Sequence, residues 1–520
     1  MSAGTLMVCG TSSDAGKSFL VTGLCRAFAR RGLKVAPFKG QNMALNAMVT
    51  STGEEIGRAQ WVQAVAASVE AEVAMNPVLL KPTEDSASQV VVMGRPWRTL
   101  RARDYQAAKP ELVGVVMDAF CDLCERFDLV ICEGAGSAAE INLFDNDLVN
   151  LGFADRAKVP AILVGDIDRG GVFAHLYGTV ELLPDEMRSL VKGFVLNKFR
   201  GDRSLLGDAT SVLERRTKIA TIGVVPTLPG VPIDAEDSMS VPRFVQGDLH
   251  GGESRERGES VEIAVIRLPR ISNFTDMDAL VLEGSTRVRY VEHAGDLGRP
   301  DLIVVPGTKS TVADLSWLRE TGLRSAILEL VGPDRSGSCI VGICGGYQML
   351  GSRIDDPLAV ESHDAAADGL GLLDVTTVFE PEKTTGYASG HEVRSGHEVS
   401  GYEIRHGRLR VGPSATPWLA ADSSGACSLK RRAGSQTALL GIYDPIAGIY
   451  GTSVHGLFEC DAFRKSFLQE VAGRRGKKIA VSNISFAGER EAYLDRIADV
   501  CEKSLDMAAI EEIIEAGVHR

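Results

Sequence analysis

The sequence has no run of apolar residues long enough to span a membrane, which takes about 18 in succession. Its first residues, MSAGTLMVCGTSSDAGKS, also lack the basic segment and the apolar stretch of a secretory signal. The 10 cysteines are too scattered for a disulfide framework, so we expect reduced thiols. Together these absences predict a cytoplasmic protein without a membrane partner.

Positive charge is scarce as well. Lys and Arg total 56 against 69 Asp and Glu, which leaves a formal net charge of -13. An acidic chain is a poor ligand for a phosphate backbone, so we expect no nucleic-acid partner. With 44% hydrophobic and 24% charged residues, the composition is that of an ordinary globular protein rather than a disordered or fibrous one.

What the first half does contain is a series of short apolar runs that alternate with helical patterns. Apolar strands separated by helices are typical of βαβ units, whose parallel sheet is buried on both faces. We therefore predict an α/β domain with a parallel sheet over residues 1–240. Its predicted strands are 5–10, 33–38, 128–134, 160–166, 193–199 and 221–226.

A second α/β domain is predicted over residues 261–460. Residues 241–260 are rich in Gly, Ser and charge and poor in apolar residues, as expected of a linker. Residues 461–520 form a helix-rich, charged extension that we expect to pack on the second domain. Nothing in the pattern indicates an oligomeric state. The predicted strands of the second domain are 261–269, 287–291, 301–307 and 339–344.

A phosphate-binding loop is predicted at residues 10–18, which read GTSSDAGKS. The segment follows a predicted strand and precedes a predicted helix, where backbone N–H groups and a helix N-terminus cradle phosphate oxygens. The lysine of such a loop neutralises the terminal phosphates, and the hydroxyl after it holds Mg²⁺. ATP and Mg²⁺ are therefore the expected cofactors. The expected nucleotide-binding residues are Gly10, Thr11, Asp14, Ala15, Gly16, Lys17 and Ser18.

A carboxylate near the loop would complete a metal site. Glu133 ends a predicted strand, and ligands of open α/β sheets gather at the carboxyl ends of strands. Because Mg²⁺ keeps several waters, Ser18 and Glu133 suffice as its protein ligands. Three further acids, Glu140, Asp145 and Asp147, follow in the next segment, where such residues either take part in chemistry or cap helices and turns.

A nucleophilic thiol is predicted at Cys344. It stands between an apolar run and paired glycines in GICGGYQMLG, a strand–turn–helix pattern that projects a side chain at a helix N-terminus. His455, in SVHGLFE, is the candidate base, and sequence separation does not prevent two such residues from meeting in the fold. Backbone N–H groups of Gly307 and Gly345 could bind an oxyanion. The combination indicates thiol-dependent acyl transfer.

These motifs resemble a class I glutamine amidotransferase domain fused behind an ATP-dependent synthetase. More narrowly, the chain resembles the cobyric acid synthases of the cobalamin pathway nearly from end to end. The phosphate loop is one residue longer than the common pattern, as in synthetases similar to dethiobiotin synthetase, which use ATP to activate a carboxylate. The strings that carry the resemblance are GTSSDAGKS, APFKGQNMALN, GRAQ, MNPVLLKP, SQVVVMG, EGAGSAAEINL, VGDIDRGGVFA, LNKFRGD, LPRISNFTD, GICGGYQMLG and VHGLFE.

The resemblance implies a specific reaction. ATP and L-glutamine would be used to amidate the b, d, e and g carboxylates of adenosylcobyrinic acid a,c-diamide, through acyl phosphates, to give cobyric acid. The resemblance makes Cys344 and His455 the glutaminase pair and Asp147 the catalytic carboxylate of the synthetase site. Many class I amidotransferases carry a glutamate two residues after the histidine, where this chain has Leu457. A Cys-His dyad is therefore expected, with Glu459 as a candidate supporting acid.

Three other functions stay open from the sequence. A cobyrinic or hydrogenobyrinic acid a,c-diamide synthase would share the two-domain organisation but would amidate different carboxylates. A CTP synthase is disfavoured because its usual synthetase motifs are not evident. A partition-type ATPase switch would account for the phosphate loop, but it would give no reason for a Cys-His pair.

Overall fold

The computed structural model describes residues 3–84, 86–228, 233–234, 244–245, 260–331, 337–362, 364–422 and 439–517. The chain divides into two compact units. Unit 1 comprises Met1–Ala44, Ile56–Pro229 and Arg490–Arg520, and unit 2 comprises Leu45–Glu55 and Gly230–Glu489. Most of the predicted linker 241–260 lies outside the described residues. The predicted domain boundaries stay a prediction, since these units group residues by their contacts.

Unit 1 is built on a parallel sheet with the strand order β12-β11-β10-β1-β9-β2. Strands β1, β9 and β10 are almost wholly buried, because helices cover both faces of a parallel sheet. All the strands predicted in this half occur within a few residues of their expected bounds, which confirms the predicted fold class. Up to residue 228 the elements are β1 (Gly4–Gly10), α1 (Lys17–Arg30), β2 (Val35–Phe38), β3 (Gln41–Met43), β4 (Ala47–Val49), β5 (Glu55–Gly57), α2 (Arg58–Ala66), β6 (Val78–Glu84), β7 (Ala87–Val92), β8 (Arg95–Arg101), α3 (Ala102–Arg126), β9 (Leu129–Glu133), α4 (Leu151–Ala157), β10 (Ala161–Asp166), α5 (Val172–Glu181), α6 (Asp185–Leu190), β11 (Val191–Phe199), α7 (Ala209–Thr217) and β12 (Ala220–Pro226).

Unit 2 contains a mixed sheet with the order β13-β15-β14-β16-β17-β24-β23-β22-β20-β18-β19, with β21 paired to β20. Strands β15, β14, β16, β17 and β24 pair in parallel, and β13 pairs with β15 in the antiparallel direction. Strands β24, β23, β22, β20 and β21 continue the sheet in antiparallel pairing, which the sequence patterns did not predict. The remaining elements are β13 (Phe244–Val245), β14 (Val261–Ile266), α8 (Asp278–Leu282), β15 (Thr286–Val291), β16 (Leu302–Val305), α9 (Thr311–Glu320), α10 (Leu323–Leu330), β17 (Cys339–Ile343), α11 (Gly345–Leu350), β18 (Arg353–Asp355), β19 (Ala366–Asp368), β20 (Val375–Glu392), β21 (Glu398–Val411), β22 (Thr416–Ala421), β23 (Leu439–Asp444), β24 (Ile449–Thr452), α12 (Asp461–Arg474), α13 (Phe486–Ser504) and α14 (Met507–Ala516).

From Arg490 onward the C-terminal helices belong to unit 1, contrary to the expectation that the whole extension packs on the second domain. Leu494, Ile497 and Cys501 join the buried cluster that α1 forms with the parallel sheet. The reason is that α13 carries apolar residues on the face toward α1. The helical spacing of apolar residues in the sequence predicts which face of a helix is buried, but it does not predict which element covers that face. No helix in the described part of the chain is long and apolar enough to cross a membrane.

Candidate active sites

The predicted phosphate loop connects β1 to α1 at the carboxyl edge of the parallel sheet. Gly16 precedes the helix with a φ of 96°, a left-handed conformation that favours glycine. A Cβ atom at this position would lie 1.8 Å from Nδ2 of Asn197, so a side chain does not fit. Asn197 itself donates a hydrogen bond of 2.9 Å to the carbonyl of Ala15. The end of β11 therefore holds the loop in one backbone shape.

The remaining loop residues have distinct partners. Lys17 donates hydrogen bonds from Nζ to the carbonyls of Ser12, at 2.9 Å, and Gly136, at 3.0 Å. The N–H of Thr11 donates to the carbonyl of Val164, so this residue offers a ligand its side chain rather than its amide. Asp14 forms an ion pair with the largely exposed Arg169, at 3.3 Å. The Lys17 ammonium therefore contacts one carbonyl of the loop and one carbonyl of the segment after β9, and phosphate oxygens of a bound nucleotide would compete with both.

Glu133 is the centre of the predicted metal site. Its Oε1 accepts hydrogen bonds of 2.8 Å from Ser18 Oγ and from Lys39 Nζ, and its Oε2 accepts one of 2.5 Å from Gln63 Nε2. The side chains of Lys39 and Glu133 are 4% and 0% exposed, so this ion pair is withdrawn from water. Sequence reasoning predicted Ser18 and Glu133 and missed Lys39 and Gln63. The available signal for Lys39 was a lysine directly after a predicted strand.

The donors at this position fit Mg²⁺. The Ser18 hydroxyl and the Glu133 carboxylate are hard oxygen ligands that lie 2.8 Å apart beside the phosphate loop. One carboxylate is enough for Mg²⁺, because waters and phosphate oxygens complete its octahedral shell. Among the described residues there is no cluster of three or more His, Cys, Asp and Glu side chains that could hold a metal alone. Metal binding here would therefore depend on a bound nucleotide.

Asp147, the predicted catalytic carboxylate, has its oxygens engaged by the backbone. Oδ1 accepts from the N–H groups of Val149 and Asn150 and Oδ2 from that of Gly152, each at 2.9 Å. These bonds fix the turn that leads into α4. Burial first, and then the charge of Asp147, raise the pKa of Cys9 in β1, which places the carboxylate near the end of that strand. The catalytic role stays a prediction, and the geometry gives Asp147 a capping role.

Cys344 occupies the sharp turn between β17 and α11. Its backbone has φ 51° and ψ -108°, a strained conformation for a residue with a side chain. Its amide donates to the carbonyl of Thr452 at 2.8 Å, and its thiol lies 3.5 Å from the carbonyl of Ile404. A Cβ on Gly346 would fall 1.9 Å from the carbonyl of Val305, so the helix after the turn packs against β16 without a side chain. The elbow predicted from the sequence is therefore present.

His455 contacts an acid that the sequence did not identify. Its Nδ1 lies 2.8 Å from Oδ2 of Asp276, and Oδ1 of Asp276 accepts a hydrogen bond of 2.8 Å from the N–H of Gly456. Both side chains are buried, at 1% and 3% exposure. The imidazole of the expected dyad therefore contacts Asp276, in the string NFTD, whereas the sequence made Glu459 the candidate supporting acid. The catalytic roles of these residues stay predictions. The residue two positions after His455 is Leu457, which has no carboxylate.

Electrostatics and packing tie His455 to the thiol. Burial alone would lower the pKa of His455, but the charges of Asp276 and Cys344 and its hydrogen bonds to both outweigh burial and raise the pKa to about 10. Tyr402 stacks on the imidazole ring with a centroid distance of 5.3 Å. A raised pKa favours the protonated form of the imidazole.

The two glycines predicted to bind an oxyanion lie at this site. A Cβ on Gly307 would be 2.8 Å from Cε1 of His455, and a Cβ on Gly345 would be 3.1 Å from the amide nitrogen of Thr308. A side chain at either position would therefore crowd the surroundings of Cys344 and His455. The oxyanion role itself stays a prediction.

Comparisons with known proteins cover both units. The family model for the CobQ/CobB/MinD/ParA nucleotide binding domain matches residues 6–241, and that for the CobB/CobQ-like glutamine amidotransferase domain matches residues 262–463. Among solved structures, one described as PurLQS from Thermotoga maritima aligns at 14% identity and a TM-score of 0.28 over 42% of this chain and 97% of its own. A score this low supports no argument.

Curated relatives match over almost the whole chain. The cobyric acid synthase of Mycolicibacterium gilvum is 46% identical over 98% of this chain and 97% of its own length. That of Dehalococcoides mccartyi is 46% identical over 99% and 98%, respectively. The chain therefore belongs to the cobyric acid synthase family of ATP-dependent amidating ligases, in which a nucleotide-binding domain and a glutamine amidotransferase domain share one polypeptide.

Proposed function

We propose that the enzyme amidates the b, d, e and g carboxylates of adenosylcobyrinic acid a,c-diamide and so produces cobyric acid, with glutamine as the nitrogen source. The observation that carries the proposal is the similarity to cobyric acid synthases over almost the full length of the chain. A phosphate loop beside Glu133 and a Cys-His-Asp arrangement within the same chain supply the two activities that this reaction needs.

The synthetase half activates a carboxylate, which is otherwise a poor electrophile. A substrate carboxylate oxygen attacks the γ-phosphorus of ATP and displaces ADP, and the product is an acyl phosphate. Lys17 and the backbone N–H groups of the loop hold the phosphates, and Lys39 places a second ammonium beside Glu133. Mg²⁺ bound by Ser18 and Glu133 would neutralise phosphate charge. Asp147 acts here as a positioning residue, because its carboxylate holds the turn before α4.

The amidotransferase half releases ammonia from glutamine. The thiolate of Cys344 attacks the side-chain amide carbon, and His455 gives a proton to the departing ammonia, which leaves a glutamyl thioester. Water then cleaves the thioester, and His455 takes the water's proton and returns the thiol. Asp276 orients the imidazole, and backbone N–H groups at Gly307 and Gly345 stabilise the oxyanion. Ammonia attacks the acyl phosphate, and phosphate leaves as the amide forms.

Mass spectrometry of the corrinoid tests the proposal. The enzyme is incubated with adenosylcobyrinic acid a,c-diamide, MgATP and glutamine, and each amidation lowers the substrate mass because OH is exchanged for NH₂. We expect stepwise shifts that require both ATP and glutamine, with ADP formed in step. A Cys344→Ala variant should lose the glutamine-dependent shifts and keep those driven by a high ammonium concentration.

Two outcomes would contradict the proposal. If the diamide is inert while cobyrinic or hydrogenobyrinic acid gains amides, the chain is an a,c-diamide synthase. If ATP is hydrolysed slowly and no corrinoid is amidated with either nitrogen source, the partition-type switch becomes the better interpretation.

A further inference from the structure

Residues Leu45–Glu55, here called the 45–55 hairpin, belong to unit 2, although the chain on either side of them belongs to unit 1. Strand β4 lies within it and strand β5 begins at its last residue. Its turn is closed by backbone hydrogen bonds between Thr50 and Glu54, at 2.8 Å, and between Gly53 and Thr50, at 2.9 Å. Ala47 and Val49 are fully buried. The hairpin is therefore an integral, well-packed part of the amidotransferase unit.

One contact of the hairpin leads to Asp276. The N–H of Ala47 donates a hydrogen bond of 2.9 Å to Oδ1 of Asn273. Asn273 is 3% exposed and has a left-handed backbone with φ 51°, and its carbonyl accepts a hydrogen bond of 3.0 Å from the N–H of Asp276. Asparagine tolerates a left-handed backbone, and the hydrogen bond from Ala47 fixes its side chain. The chain of contacts therefore reaches the acid that orients His455.

A second contact leads to the other side of the imidazole. The hydroxyl of Tyr387 donates a hydrogen bond of 3.1 Å to the carbonyl of Val49. Tyr387 in β20 pairs directly with Tyr402 in β21. Tyr402 exchanges two backbone hydrogen bonds with His455, at 3.1 and 2.8 Å, and its ring stacks on the imidazole. The hairpin thus contacts the strand that pairs with Tyr402, through Val49, and the segment that contains Asp276, through Ala47.

A buried ion pair fixes the hairpin in this register. Lys383 and Glu55 lie 2.5 Å apart, and their side chains are 6% and 0% exposed. Separating two buried charges costs free energy, so the hairpin does not slide along β20 without a penalty. The positions of Ala47 and Val49 relative to their two partners are therefore defined.

We propose that the 45–55 hairpin is a positioning element of the glutaminase site, which sets Asp276 and His455 through Asn273 and Tyr387. The inference rests on the proposed function, in which Cys344 and His455 release ammonia. The backbone groups of Ala47 and Val49, which make the two contacts, lie in sequence within the predicted synthetase domain.

Asn273→Gly is the most direct test, because glycine keeps the left-handed backbone and removes only the amide that Ala47 contacts. We expect kcat for glutamine hydrolysis by the full-length enzyme to fall by about tenfold, with a smaller change in KM for glutamine. The charged groups that act on His455 are Asp276 and Cys344. A loosened Asp276 lowers the pKa of His455, so the alkaline limb of the pH profile should move to lower pH.

Thr52→Ala is the matched control, since Thr52 lies in the same hairpin and contacts the hydroxyl of Thr50. It should leave kcat and the pH profile unchanged. Tyr387→Phe, which removes the other contact, provides an independent measurement if Asn273→Gly does not fold, and it should shift the same alkaline limb. The low-field NMR signal of the proton between His455 and Asp276 should move in both variants.

The outcomes separate this inference from the proposed function. Unchanged kcat and pH profile in folded Asn273→Gly and Tyr387→Phe enzymes would overturn the inference. So would a loss of thermal stability that leaves the alkaline limb and the NMR signal in place, because a structural role alone predicts it. Absence of glutaminase activity in the wild-type enzyme would instead refute the proposed function.

Discussion

The side chains of Asp276 and His455 meet at 2.8 Å although 179 positions separate them in the sequence. Asp276→Asn keeps the size of the side chain and its acceptor for the N–H of Gly456, but it removes the charge. By analogy with other triads, glutaminase kcat should fall by about 10²- to 10⁴-fold. The alkaline limb of the pH profile should move to lower pH, because Asp276 raises the pKa of His455. Asp278→Asn is the control, and equal loss in both variants would argue against the assignment.

Removing Lys39 should separate the two activities. Lys39→Met leaves the buried Glu133 carboxylate without its cation, which destabilises unit 1 by about 3–5 kcal/mol. Amidation should be lost with glutamine and with ammonium alike, while glutaminase activity persists. Combining it with Glu133→Gln should recover stability but not amidation, as measured by urea unfolding. Lys158→Met is the control, because the Lys158 side chain is 56% exposed.

Gly16 permits no side chain. Gly16→Ala places a Cβ against Asn197 in a left-handed conformation, so we expect calorimetry to show no ATP binding and ammonium-driven amidation to stop. Asn197→Gly in the same chain removes the clash but leaves a backbone penalty of about 1–2 kcal/mol. The double variant should therefore bind ATP weakly rather than not at all. ATP binding by Gly16→Ala at wild-type affinity would show that the loop can reshape.

Asp314 should give unit 2 a pH-dependent stability. Burial raises its pKa to about 6, against the opposing hydrogen bonds from Thr308 and Arg270. The folded state therefore holds this proton more tightly than the unfolded chain, so the contribution of Asp314 to stability is fully present below about pH 4 and is lost as the pH rises through about 6. Asp314→Asn removes this pH dependence. Across this pH range, the difference in free energy of unfolding between the two enzymes should change by about 1.4 kcal/mol for each unit of pKa shift. Parallel urea-unfolding curves across this range would contradict the prediction.

Residues whose role is set by neighbours in the chain could be predicted from the sequence. Cys344 and Lys17 each stand in a short strand–turn–helix pattern, and the structure places both at such turns. Asp276 and Lys39 could not be assigned in this way, because their partners, His455 and Glu133, are distant in the sequence and no fixed spacing links them. For the same reason the antiparallel part of the second sheet was not predicted, because its strands carry no distinctive local sequence motif.

The predicted role of Asp147 shows a different limit. An aspartate after a strand end is equally suited to bind a ligand and to cap a turn, and composition does not distinguish the two. Its three backbone hydrogen bonds become visible only once the turn before α4 is folded. The sequence pattern therefore does not distinguish a capping role of Asp147 from a role in positioning substrate, and the distinction requires the structure and kinetic measurements.

The C-terminal helices invert the order in which the two units can be completed during synthesis. Ile497 and Cys501 fill the core beside α1, and a Cβ on Gly23 would lie 2.3 Å from the Sγ of Cys501. Residues 490–516 leave the ribosome only after every part of unit 2 has been made. Strand β1 and helix α1, among the first elements translated, thus wait with an apolar face uncovered until the amidotransferase unit is finished. Unit 1 is therefore the first unit to begin and the last to be completed during synthesis.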